Sequence, residues 1–388
     1  MSTPELVMTA RNATLPDLVE VLRMQHAAKL DVVAPARDLR ATGGSLLVRD
    51  AGEPALSLDG VTRRDAIWRP AALADAGIAD KLGIPVAYLR RLRAEKMDLY
   101  DANVNAWLDH DPGRRFLVRG LTDGDGGGLL RALLSDSFRI VDNLDVLMSV
   151  LQGIREAGAA VEVTSADLSE SRMFVKVRST EIAAQAPLLL GNYTSPFSGA
   201  RGVDNPLVFA GFVITNSETG HGRFTITPQL TVEICSNGMT LNKHALSAVH
   251  LGGRLPAGVI AWQADTQAAA LDVVIKQARD AVASFLDRDF VARRLAEIER
   301  DAGVEVTNPA ATLEHVGTTL RFPTDVQDTI LSHFIRGGDT TSGGVLHAVT
   351  SAAQTLPDAD AAYDLERHGL EAMSLAAVHA DRLARAAA

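Results

Sequence analysis

Cysteine is nearly absent from this sequence: Cys235 is the only one in 388 residues. No intramolecular disulfide can close, and a zinc site built on several thiolates is excluded. Long apolar runs are missing as well. None approaches the roughly 18 residues needed to span a bilayer, and the opening MSTPELVMTARNATL lacks a charged start followed by an apolar stretch. A cytoplasmic protein without membrane association is therefore expected. Positive charge is the minority sign, with 38 Lys and Arg against 48 Asp and Glu and a net charge of −10. That excludes a surface coated in cations for gripping phosphates, but a local basic stripe can coexist with acidic surface elsewhere. No phosphate-loop order is present. The DGDGGG tract at 123–128 lacks the terminal lysine, and no apolar strand leads into it. No cofactor or metal is expected.

The length implies two or three packed units. Pro16 to Leu30 reads as a helix with Leu18, Val21, Leu22 and Met24 inward. Val32 to Asp59, broken by Pro35, Gly43, Gly44 and Pro54, reads as short strands and loops. Ala71 to Leu108 reads as helical, and His110 to Gly128 as the clearest linker. Asp142 opens a helix carrying Leu144, Leu147, Met148, Leu151 and Ile154, stopped by Gly158. Strands follow around Val161, over 172–178 and over Leu207–Thr215. Those at 223–227 and 230–234 are separated by Pro228, which points to an edge or a bulge. Asn237-Gly238 carries the strongest hairpin signal, a two-residue turn that would set Ile234 opposite Leu241. From Gln263 onward the pattern is helical. The class expected is α+β: residues 1–110 with a helix-turn-helix-like hairpin, 129–260 with a mainly antiparallel central sheet and packed helices, and 261–388 helical.

Three constellations bear on chemistry. Ala79, Gly83, Leu89 and Leu92 have helix-turn-helix spacing, and the second helix would display Arg90, Arg91, Arg93 and Lys96 to a groove or to phosphates. A plain hairpin with a solvated basic face has the same pattern. In the strand SRMFVKVRS, Met173, Val175 and Val177 point one way, while Arg172, Phe174, Lys176 and Arg178 point the other. Three cations around a ring can hold single-stranded nucleic acid, with a base stacked on the ring; an ordinary solvated sheet face would look alike. Arg139 would extend that surface. The loop Asn216–Arg223 resembles a ligand loop in composition, though one Glu218 and one His221 are too few for a metal, and a strand-aligning turn fits equally. Cys235 with His221 or His244 would make a nucleophile pair, against a small buried residue at a strand end.

LLSDSFRIVDNLDVL (133–147), ITNSETG (214–220), EICSNGM (233–239) and GGVLHAVTSAAQ (343–354) resemble the phage- and plasmid-like proteins carrying domain of unknown function 932, over about Leu133 to Thr355. The resemblance implies a mobile-element setting and transfers no residue role. The function expected is a non-enzymatic protein that binds or anneals single-stranded DNA in phage or plasmid recombination or replication, as a homo-oligomer. Its rivals are an assembly factor without nucleic-acid binding and a cysteine-dependent hydrolase.

Overall fold

The structure, a computed structural model, describes residues 8–57, 60–123, 127–138, 140–235, 238–248, 258–259 and 264–387. In chain order the elements are β1 (Ala10–Ala13), α1 (Leu15–Ala28), β2 (Lys29–Pro35), β3 (Leu39–Thr42), β4 (Ser45–Ser57), β5 (Gly60–Pro70), α2 (Ala72–Leu82), α3 (Val86–Glu95) and α4 (Met97–His110). Then come β6 (Arg115–Thr122), β7 (Gly127–Ser135), α5 (Asn143–Glu156), β8 (Val161–Leu168), β9 (Met173–Gln185), α6 (Pro187–Leu190), β10 (Leu207–Asn216), β11 (Phe224–Val232), β12 (Gly238–Thr240), β13 (Leu246–Ala248) and β14 (Gly258–Val259). The rest is helical: α7 (Ala264–Phe285), α8 (Arg288–Ala302), α9 (Pro309–Thr319), α10 (Thr324–Gly337), α11 (Ser342–Thr355), α12 (Ala359–Arg367) and α13 (Gly369–Ala387).

The class is α+β. Among the described residues the strands form two sheets of seven rather than one central sheet. The N-terminal sheet runs β14-β2-β6-β7-β5-β4-β3, and its pairs are antiparallel except β5 with β7. The central sheet runs β1-β8-β9-β10-β11-β12, with β13 also on β11. The expected linker is instead a pair of strands inside the N-terminal sheet, and an apolar strand, β6, does lead into the glycine tract, contrary to expectation: β6 and β7 pair antiparallel, and Asp123 N–H donates to Gly127 O at 3.2 Å to start the turn between them. The three consecutive regions expected are likewise interwoven, because β1 pairs with β8 and β14 with β2.

Local sequence explains the elements. Thr14 caps α1 in a reciprocal box with Asp17, and Pro16 occupies its first turn. Gly43 and Gly44, with φ of 56° and 72°, make the two-residue turn between β3 and β4 that a type I′ geometry requires. The hairpin expected at Asn237-Gly238 is absent in that form. Gly238 pairs with Thr231 as a strand residue, Leu241 N–H donates to Pro228 O, and Asn237 lies outside the described residues. Nor is β11 an edge or a broken strand; it passes through Pro228, which pairs with Phe212 of β10. The missing N–H falls on the other side, where β12 and β13 meet β11 on either side of the proline.

Cores follow from these layers. Helices α2–α4 cover one face of the N-terminal sheet, packing Ile78, Leu89, Tyr100 and Val104 on Val48, Trp68, Phe116 and Val118. On the central sheet, α1, α5 and α7 bury Leu18, Leu22, Leu147, Val150 and Val282 against Met173, Val175, Val177, Phe212 and Ile214. Its other face is covered by C-terminal helices, including Tyr363 on Phe174 and Val213. At the outer edge, Asn105 of α4 pairs with both polar groups of Ala41 in β3, accepting from its N–H at 2.8 Å and donating to its O at 2.9 Å. A side chain thus occupies the place of a further strand.

Candidate nucleic-acid interface

The basic stripe on β9 alternates as its sequence requires, but its second face is not open. Phe174 is 1% exposed and lies 4.6 Å from the Tyr363 ring of α12, centroid to centroid. Arg172 donates to Asp360 at 2.5 Å and to Asp364 at 3.1 and 2.8 Å. Lys176 donates to the buried Glu366 at 2.5 Å. Arg178 pairs with Glu162 and Glu233 and lies over Phe209 at 4.6 Å. Burial disfavours charge on Arg172 and Arg178, and their acidic partners outweigh it, raising both pKa values. The expectation of a solvent-facing ring with free cations at Arg172, Phe174, Lys176 and Arg178 is therefore corrected: α12 occupies the space a base would need, its carboxylates take the places of phosphates at Arg172 and Lys176, and Glu162 and Glu233 do so at Arg178. Arg139 lies outside the described residues.

The second basic segment does face solvent. Helices α2 and α3 form the expected hairpin, with Gly83 in the left-handed region at φ 71° as the cap of α2. Leu89 and Leu92 face inward, while Arg90, Arg91 and Lys96 are exposed. Arg90 donates to Ala72 O at 2.7 Å, and Arg91 pairs with Glu95 one turn on, an interaction of small energy in water. Arg93 is different. It bridges Pro70 O at 2.8 Å and buried Asp75 at 2.6 Å, so it braces the helix pair rather than facing a ligand. Desolvation raises the Asp75 pKa, and Arg93 and Arg90 oppose that rise.

The face of the N-terminal sheet opposite α2–α4 adds cations that the sequence pattern alone did not single out. In β3, β4 and β5, Leu39, Ala41, Leu46, Val48, Ala66 and Trp68 turn inward, so Arg40, Leu47, Ile67 and Arg69 share the outward face. Arg40 pairs with Leu47, and Leu47 with Ile67. Arg40 and Arg69 are exposed and form no ion pair with a described residue. The signal was present in the strict alternation of LRAT and AIWRP, which Gly43 and Gly44 obscured by looking like a loop.

The Asn216–Arg223 loop is folded into a buried ion network between the two sheets. Arg131 holds Glu218 at 2.6 Å, the Asn143 N–H donates to Glu218 Oε1 at 2.5 Å, and Arg119 donates to Glu218 O at 2.8 Å. Lys29 and Arg119 share Asp142. Both cations hold the Asp142 carboxyl well below its ordinary range against the desolvation that would raise it. His26, Asp142 and Asp145 bring ligand atoms within 4.8 Å of one another, yet two cations already facing Asp142 oppose a divalent ion there. The loop thus aligns strands and joins sheets. Of the expected nucleophile pair, Cys235 is 8% exposed, and His221 Nδ1 faces Thr219 O at 2.9 Å. The His244 side chain lies outside the described residues. No helix among the described residues is long and apolar enough to cross a membrane. In comparisons with known proteins, no family model, curated protein or solved structure matches the chain.

Proposed function

We propose that the chain is a non-enzymatic single-stranded nucleic-acid binder that works through its N-terminal unit rather than through β9. Charge distribution carries this reading. Residues 36–96 hold eleven Lys and Arg against eight Asp and Glu, a local +3 on a chain of net −10. Arg90, Arg91 and Lys96 are exposed on α3, and Arg40 and Arg69 on the sheet. Tyr88, 48% exposed, stands one turn before Arg91 on the same helix. A ring beside cations favours unpaired bases, which offer a face to stack, over a duplex, whose bases are already stacked. Titration of a labelled oligothymidylate at about 50 and about 200 mM salt tests it. Wild type should bind more weakly at the higher salt, and the Arg90→Ala/Arg91→Ala/Lys96→Ala variant should show a shallower dependence, by about 0.7 in log–log slope for each phosphate no longer neutralised. Wild-type affinity in that variant and in Arg40→Ala/Arg69→Ala overturns the reading.

A specific surface supports the rival, an assembly factor. Leu188, Phe197, Val203 and Ile335 are each at least half exposed. Phe197 packs edge-on against His333 of α10, and Arg336 donates to Pro196 O, so Phe197 and Ile335 share one surface. Self-association without oligonucleotide binding in the same titration would favour it.

A further inference from the structure

We propose that a pocket of about 350 Å³ beside Trp107 is a nucleobase-stacking site. The inference rests on the nucleic-acid reading above and supplies what α3 and the sheet face lack, a cavity that can take a base. The pocket lies where α2, α4 and β6 meet. Buried Phe116 and Leu82 line it together with Trp107 and His110, and its charged lining is mixed, Lys81 and Arg114 beside Asp80 and Asp111. Its volume falls at the lower end of the range for ligand sites, roughly 300–1,000 Å³.

Trp107 is the unusual member. Trp68 is fully buried in the core, whereas the Trp107 indole is 47% exposed. His110 meets it edge-on, centroids 5.9 Å apart with planes at 77°, which constrains the indole from its flank and leaves a face for a planar ligand. Arg114 lies 5.1 Å over the Phe116 ring, is exposed, and forms no ion pair with a described residue. Lys81 is paired with Asp80 at 2.8 Å, an exposed pairing that a phosphate can displace.

Helix polarity decides which part of a nucleotide enters. Both α2, ending at Leu82, and α4, ending at His110, turn their carbonyl ends toward this corner. Partial negative charge there, together with the Asp80 and Asp111 carboxylates, opposes an anion inside the pocket, so the uncharged base stacks on the indole and its phosphate remains outside with Arg114 and Lys81. The turn at Gly83 lines the pocket and leads into α3. That helix has ten residues, about 15 Å at 1.5 Å per residue, so its basic far end is within reach of a strand anchored at Trp107.

The test uses the full chain with oligothymidylate, following anisotropy and tryptophan fluorescence together. Trp107→Ala should weaken binding by about five-fold or more, since a stacked base contributes roughly 1–3 kcal/mol. Trp107→Phe should keep most of the affinity but lose the fluorescence quenching that wild type shows on binding. Arg114→Ala should weaken binding and flatten its salt dependence. Unchanged affinity in Trp107→Ala, alongside a loss in Arg90→Ala/Arg91→Ala/Lys96→Ala, overturns the pocket and leaves the proposed function standing. Quenching as large in Trp107→Phe as in wild type also overturns it. A wild-type chain that binds no oligonucleotide removes the functional reading, and this inference with it.

Discussion

Arg119 and Asp31 stand directly opposite each other on β6 and β2 and join through two hydrogen bonds, Nε to Oδ1 at 2.8 Å and Nη2 to Oδ2 at 3.0 Å. Both are buried, and the same guanidinium also reaches Asp142 at 2.7 Å. Burial works against the Arg119 charge; Asp31, Asp142 and Glu218 overcome it and keep the group protonated. Such a network is costly to break from one side, because the remaining charges stay buried without compensation. Arg119→Met should therefore lose about 3–5 kcal/mol of unfolding free energy, measured by urea denaturation near neutral pH. A loss below about 1 kcal/mol would mean that water or side-chain movement already relieves Asp31.

The docking of α12 on β9 gives a second expectation. Phe174→Ala removes a ring packed on Tyr363 and Val213 and should cost about 3–5 kcal/mol. Oligonucleotide affinity of the protein that remains folded should not change. Thermal unfolding and anisotropy on the same sample check both halves, and weakened binding by well-folded Phe174→Ala would return the interface to β9.

Acid should weaken the fold through its buried histidines. His347 is fully buried, donates from Nε2 to Leu189 O at 3.2 Å and stacks on Tyr193 at 4.0 Å. Burial pushes its pKa down to about 4, and the Leu189 hydrogen bond only partly offsets this. Between an unfolded value near 6.5 and that folded value the unfolded chain binds the extra proton, so stability falls as pH drops through this window. The difference amounts to about 3 kcal/mol in full, of which about 2 kcal/mol is lost between about pH 7 and about pH 5. His221 and His333, also held low by burial, act in the same direction. Urea midpoints at the two pH values should move less in His347→Gln than in wild type; equal movement would place the titration elsewhere.

Asn105 offers a test of edge protection. Asn105→Ala uncovers the N–H and C=O of Ala41, with an expected cost of about 1–3 kcal/mol and a strand edge newly open to pairing. Light scattering should detect concentration-dependent association in the variant and none attributable to this edge in wild type. A variant as monodisperse and stable as wild type would show that water satisfies β3 adequately.

Local pattern made several elements legible. Asp142 is the N-cap of α5, Leu147 and Ile154 are buried on it, and Gly158 follows it with φ 66°. Met148, placed inward by the same period, is exposed, because Val146 and Val150 share the true buried stripe with Leu147 and Ile154. Alternation along 172–178 correctly divided two faces, but it carries no information about what covers the second. Asp360, Asp364 and Glu366, which neutralise Arg172 and Lys176 on that face, lie about 190 residues downstream. Glycine misled in both directions: Gly43-Gly44 closes a hairpin that read as loop, and Gly238 sits within a strand pair that read as a turn. Trp107 gave no local signal either, since its exposure follows from how α4 ends against β6.

The pairing of β1 with β8 sets a timetable for synthesis. Residues 10–13 emerge well ahead of their partner at 161–168, which follows about 150 residues later, and at roughly 5–20 residues per second this means a wait on the order of ten seconds or more. Until α5 and β8 appear, Leu18 and Leu22 of α1 have no central-sheet core to enter. The nascent chain therefore carries α1 as an unburied amphipathic segment over that interval, and a chaperone that shields it during elongation would raise the yield of native protein more than one acting after release.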